Sequence, residues 1–437
     1  VRSRSFGALA VLAACAFAGS VRADGETLPQ AADRVGEEWR KEGALVERGE
    51  ARFFVDANAT ITVALPEPET SPQRCTTVAI LGARGMTFHA KVVGVDDDPL
   101  DDDGSKRAAS VAGVLEMSGC GDAAPLLERL RVTNDAGRGA IETVVARSAR
   151  PLSPLRSALP ERTGGALPPP PDAGATPILP IPGKRADFAE ARATRDGAQV
   201  GPRAAWTAAS DGSGEVKVDL EAGCHRIEIF ATDPRGARNG PHRRRLDVDA
   251  EVRSDEDEEL LARDRTDDAD ARLELCVGKE TATSVIFAGA PAGSDVTVTH
   301  ARWRIPAHVP DLWGPEARAR MARALLARHA PSPPADPVAL YEGPYGLTPI
   351  PISIEPGACY LAVAAVTLGR ARGLGLRAQV GASEARDERT SDDDAGLVAF
   401  CAHDQGRARI EVETRGTSGS AWGLALFRVV GRAWEGR

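Results

Sequence analysis

Apolar and polar residues alternate with a period of two in short runs along most of the chain, and these runs recur in the same order three times. Each set opens with an alternating run ahead of a cysteine: ATITVAL (59–65), EVKVDLEAGC (215–224) and IPISIEPGAC (350–359). A second run starts at or near that cysteine, as CTTVAIL, CHRIEIFA or CYLAVAAV. An acidic tract follows, DDDPLDDDG (96–104), SDEDEELLARDRTDDAD (254–270) or ARDERTSDDDAG (385–396). A third run then closes on another cysteine, as GVLEMSGC, ARLELC or GLVAFC, and at least one more run comes after it, such as DVTVTH or ARIEVET. Period-two patterning bounded by glycine and acidic turns predicts β-strands, and several short strands per unit predict a sandwich or small barrel. The chain therefore reads as all-β, with three tandem jelly-roll-like β-sandwich repeats.

The interruptions in this pattern set the boundaries. Ten prolines fall between Pro151 and Pro182 with few large apolar residues, which predicts an extended linker over 151–183. WGPEARARMARALLARHAP has Pro315 in a first helical turn, good helix formers throughout and Pro331 as a stop, which predicts a helical connector within 311–335. A shorter helix is predicted around Ala31–Lys41, with Val35 and Trp39 four apart on one face. At 437 residues the chain is too long for one ordinary domain, and the repeats are expected over 24–150, 184–310 and 336–437.

Residues 1–23 are expected to be a signal peptide. Arg2 and Arg4 precede an uncharged run from Phe6 to Val21, and Ala23 offers a small-residue cleavage site before Asp24. A second reading takes Leu12-Ala13-Ala14-Cys15 as a lipobox, with Cys15 as a lipid anchor to the outer membrane. Both readings export the chain to the periplasm or beyond, into an oxidising compartment. Six further cysteines remain, and their spacing within the repeats pairs Cys75 with Cys120, Cys224 with Cys276 and Cys359 with Cys401 out of the 15 pairings that six cysteines allow. Strand parity puts most of them opposite the bulkier apolar residues: Cys401 is out of phase with Val398 and Phe400, and Cys276 with Leu273 and Leu275. The expected bridge is a staple between neighbouring strands on the outer face of one sheet, unlike the core-crossing bridge of an immunoglobulin domain.

Charge and motifs narrow the chemistry. Loss of residues 1–23 removes three arginines and no acid and takes the net charge from −9 to −12, which argues against a nucleic-acid partner. The one basic cluster, Arg243–Arg245, lies close to an acidic tract that partly neutralises it. No later segment has the run of apolar residues that a membrane helix needs. The sequence has no H-E-x-x-H, no G-x-S-x-G, no P-loop and no dinucleotide glycine fingerprint. Neither a catalytic residue nor a cofactor is assigned. Calcium is the one cofactor considered: the tract around Gly104 fails EF-hand spacing, because Pro99 would hold the first ligand position, but Asp392, Asp393 and Asp394 suit a looser oxygen site.

At GTSGSAWGLALFRV, with Trp422 followed by Leu424 and Leu426 in alternation, the third repeat resembles the β-sandwich accessory domains of exported bacterial proteins of the pre-peptidase C-terminal type. That resemblance covers about 100 residues and implies a non-catalytic appendage. The expected function is an exported cell-envelope binding or structural protein, not an enzyme, with an envelope protein or glycan as partner. Two alternatives stand beside it: a calcium-dependent adhesion module, and an enzyme with a site between repeats two and three, where His300, Trp303, His308 and Trp313 concentrate.

Overall fold

A computed structural model describes residues 26–65, 75–83, 85–93, 107–121, 129–163, 181–232, 246–266, 268–387, 394–416 and 418–431. The expected signal peptide with Cys15, the basic cluster Arg243–Arg245, the first acidic tract, Asp392 and Asp393, and most of the proline-rich segment lie outside these residues.

The alternating runs form antiparallel strands, and the protein is an all-β assembly of sandwiches with three disulfides. Each repeat has eight strand positions. In the third repeat they are Ala339–Pro344, Gly346–Ser353, Cys359–Leu368, Ala371–Val380, Ser383–Asp387, Ala395–Ala402, Arg407–Gly416 and Ala421–Val429. The first, eighth, third and sixth lie side by side in one sheet, and the second, seventh, fourth and fifth in the other. Repeats one and two have the same order, with the first strand split in two, as Leu45–Arg48 plus Ala51–Val55 and as Gln199–Val200 plus Ala204–Thr207. This is the jelly-roll order. Each bridge joins the third strand to the sixth, as a directly opposed pair: Cys75 with Cys120, Cys224 with Cys276, and Cys359 with Cys401.

A helix leads each repeat and lies on the outer face of its cysteine-bearing sheet. The three are Leu28–Lys41, Pro182–Arg195 and Gly314–Ala327, each of 14 residues with proline in the first turn. The first is closed by a capping box between Thr27 and Gln30 and carries Arg40 and Lys41 at its negative end. It buries Leu28, Val35 and Trp39 against strands Cys75–Gly82 and Gly139–Ser148. The segment expected as a connector therefore contains the third repeat's own leading helix. It packs on strands Cys359–Leu368 and Ala395–Ala402 and also on strand Ala271–Val277 of the second repeat. Gly278 sits so close there that a Cβ would lie 2.4 Å from the Pro315 carbonyl. The start of the expected linker is likewise structured: Leu155 and Leu159, in and beside a helical turn at Leu155–Ala158, are buried in the cluster under the first helix.

The repeats do not stand as three beads. Strand Ala51–Val55 of the first repeat pairs with Ala395–Ala402 of the third, in the register Ala51 to Ala402 and Phe54 to Ala399. On the facing layer, Thr60–Ala64 pairs with Ser383–Asp387. Repeats one and three thus share a nine-stranded and an eight-stranded sheet over one hydrophobic core, which runs from Phe53, Phe88 and Leu130 to Leu376, Phe400 and Trp422. The second repeat keeps its own two sheets and its own core around Leu273, Val285 and Phe287.

Candidate functional site

Polar side chains anchor each other across the seam between repeats one and three. Glu50 turns its Oε2 into the bend after Val380, where it accepts hydrogen bonds from the amides of Ala382 (2.8 Å) and Ser383 (3.1 Å). Ser383 Oγ in turn accepts from the Ala64 amide at 3.1 Å. Arg328, which caps the third helix and is 5% exposed, grips Asp387 through Nη2 and lies 3.4 Å from Asp56. Asp387 also accepts the Leu397 amide at 2.7 Å. The buried Glu142 is held by Arg48, with His403 Nε2 3.3 Å away. Burial and the nearby Arg48 and Arg52 cations lower the His403 imidazole to about 4, so it is neutral at pH 7.

Beside this seam opens a cleft of about 800 Å³. One wall is the turn Asp56–Ala59, which joins the first two strands of repeat one. Asn58 takes a left-handed φ of 65° there, and the buried Asn134 fastens the turn by donating from Nδ2 to the carbonyls of Asp56 and Gly137, both at 2.8 Å. The floor comes from strands whose alternate residues, such as Ile61, Val132 and Ala385, enter the core. Their outward neighbours Thr60, Thr62, Arg131, Glu384 and Arg386 line the cleft. Thr62 lies opposite Glu384 on one side and Arg131 on the other, so a row of polar groups crosses the join. Period-two patterning identifies these residues as outward-facing, but nothing in the sequence says that the outward faces of two distant repeats meet.

Three described residues of the second and third acidic tracts form ion pairs with basic side chains. Asp394 pairs with Arg323 and, at 2.6 Å, with Arg320, fixing the third helix to its sheet. In the second repeat Asp255 pairs with Lys217 at 3.0 Å, and Asp270 holds the buried Arg185 at 2.7 Å. Among the described residues no group of three or more His, Cys, Asp or Glu converges as metal ligands do.

The four residues of the candidate enzyme site take four separate sets of partners. His300 Nε2 lies 2.8 Å from His225 Nδ1, with the rings stacked. His225 Nε2 lies 2.8 Å from the Glu221 carbonyl, which can only accept, so His225 donates there and His300 donates to His225. Burial lowers His225 to about 4 and lowers His300 as well. Trp303 points from the opposite face of the same strand, donating to the Asp196 carbonyl at 3.0 Å and lying under the Arg226 guanidinium. His308 bonds Asp336 at 2.8 Å, and Trp313 packs over Gly423.

No family model matches the chain, and no curated protein matches its sequence. Among solved structures, the exported protein XepA of PBSX is 10% identical, with 59% of this chain and 86% of that one covered at a TM-score of 0.19. A structure from Sulfolobus turreted icosahedral virus is 12% identical, with 53% and 94% covered at 0.16. Vicilin from tomato is 8% identical, with 59% and 74% covered at 0.14. Likenesses this slight bear on neither fold nor function.

Proposed function

We infer that the protein is an exported, non-catalytic binding component of the bacterial cell envelope. It offers the face of its eight-stranded sheet that is turned away from the core, with the seam cleft near the middle, to an envelope glycan. One observation carries this reading: the cleft is lined by hydroxyl, carboxylate and guanidinium groups from Thr60, Thr62, Arg131, Glu384 and Arg386, set on one continuous sheet, with the Asn58 amide on the turn beside them. Such donors and acceptors match a ligand rich in hydroxyl groups, and a two-repeat sheet fixes their spacing. Three disulfides and, among the described residues, no helix long and apolar enough to cross a membrane are compatible with an exported life. The accessory-domain resemblance at Trp422, Leu424 and Leu426 points to the same non-catalytic role. The ion pairs that occupy Asp394 favour this reading over a calcium-dependent one.

The test is cosedimentation with purified envelope polysaccharide. The reading predicts retention by the native chain, loss in a variant carrying Arg131→Ala and Arg386→Ala, and no change with His300→Ala or His308→Ala. Failure of the native chain to cosediment, or turnover abolished by the histidine variants, overturns it.

A further inference from the structure

The internal seam is a head-to-tail contact. It joins the sixth- and fifth-strand edge of repeat three to the first- and second-strand edge of repeat one. The same two kinds of edge remain at the ends of the fused sandwich. Repeat one ends in strands Val114–Cys120 and Arg107–Ala109, and repeat three ends in Ala339–Pro344 and Gly346–Ser353. Among the described residues no strand pairs with either end. We propose that a second copy of this chain docks there, its repeat-three edge pairing with the repeat-one edge of its neighbour, in a repetition of the seam already present within each copy.

Three further observations support that occupant. First, the repeat-three edge carries an unusual density of exposed apolar side chains. Val338, Leu340, Tyr345 and Leu347 are 57%, 41%, 42% and 63% exposed within ten residues, which is the kind of patch that marks an association surface. Second, backbone polarity is right at the other end. The Cα atoms of Cys75 and Cys120 lie 4.1 Å apart, the spacing of a non-hydrogen-bonded antiparallel pair, so the Cys120 amide and carbonyl are directed away from the third strand and along the sheet. Cys401 has the same relation to Cys359, at 3.9 Å, and it is the residue that faces Arg52 across the internal seam.

Third, the repeat register supplies a definite alignment. Ser148 and Val429 both lie opposite the first cysteine of their repeat, which makes Gly343, opposite Trp422, the counterpart of Phe53, opposite Ile141. Glu342 is then the counterpart of Arg52 and falls opposite Cys120 of the next copy. Pro349 and Pro351 blunt the second strand of repeat three, where proline is tolerated only with its missing N–H turned outward. Strand Ala339–Pro344 therefore carries the pairing, just as the first strand contributes more paired positions than the second at the internal seam. A heterologous contact of this kind closes into a ring or runs on as a filament.

The experiment is sedimentation velocity over a concentration series on the full chain with its disulfides intact. One variant carries Leu340→Lys and Leu347→Lys, and a second carries Ser118→Lys, on strand Val114–Cys120, and Val111→Lys, in the exposed turn that leads into it. Lysine on an edge opposes strand addition without entering the core. Circular dichroism checks that both variants are folded. The native chain is expected to assemble beyond a dimer as concentration rises, and each variant alone is expected to stay a single copy. Their equimolar mixture is expected to stop at a dimer, because only one complementary pair of edges remains. A native chain that stays monomeric throughout overturns the proposal. So does a variant that assembles alone, or a mixture that stays monomeric while the native chain assembles.

Discussion

Arg328→Ala tests whether repeats one and three share a fate. The guanidinium is buried at the end of the third helix and binds Asp387 of its own repeat and Asp56 of the first. Truncation leaves Asp387 with the Leu397 amide as its remaining partner described above, in a site where its side chain is 14% exposed. Breaking a buried ion pair from one side typically costs about 3–5 kcal/mol, and the partial exposure of both carboxylates places this one near the lower end, at about 3 kcal/mol. For a cooperative unit of roughly 200 residues, each kcal/mol moves the midpoint by about 2–4 °C, so the expected drop is about 6–12 °C. Scanning calorimetry at neutral pH measures it, with pulse proteolysis to report which repeat opens. The drop is expected in a single transition that releases peptides of repeats one and three together. Asp387→Asn in the Arg328→Ala background should recover part of the loss, because the stranded charge is gone. If repeat three melts earlier while repeat one keeps its native midpoint, the two repeats do not share one core.

Other consequences follow from the same contacts. The buried His225 and the half-buried His403 are neutral, with folded values near 4 against an ordinary 6.5, so the unfolded chain binds the proton first as pH falls. Stability should be complete above about pH 6.5 and decline towards pH 4, by roughly 3 kcal/mol per histidine. Urea midpoints across that range check this, and His225→Asn should flatten the slope for repeat two alone. Replacing Cys224 and Cys276 by serine opens a 52-residue loop and should cost roughly 4 kcal/mol in the second repeat only; a matching loss in repeats one and three would contradict its separate core. Gly343→Ala sets a Cβ 2.3 Å from the buried Trp422 ring, and overpacking of this kind should cost about 1–3 kcal/mol, read from the same calorimetric transition as Arg328→Ala.

Much of the architecture is legible in residue order. The alternation of ARIEVET or CHRIEIFA marks a strand and says which side is core, and the repeated cysteine spacing singles out one pairing. The helix Pro182–Arg195 is less visible, because it follows a dense run of prolines and its buried stripe is made of Ala186, Ala189 and Ala193, too small to stand out as an apolar face. Helix Gly314–Ala327 is visible as a helix but not as the leader of its repeat, because that role appears only when three helices lie on equivalent sheets. The seam is the least legible element. Ala51–Val55 and Ala395–Ala402 join through backbone groups that every residue carries, across some 350 positions of sequence. Glu50 and Arg328, which lock the seam, look in the sequence like ordinary surface charges. The cleft inherits that invisibility, because its lining belongs half to each repeat.

Repeats one and three form one continuous pair of sheets. Amide hydrogen exchange, followed by proteolysis and mass spectrometry, reads it most directly at Ala51–Val55 and Ala395–Ala402. Both segments are expected to exchange as slowly as interior strands such as Cys359–Leu368, and to be released together in Arg328→Ala. Rapid exchange in Ala51–Val55 of the native chain, with Cys359–Leu368 still protected, would show an open edge in place of the ladder between Ala51–Val55 and Ala395–Ala402.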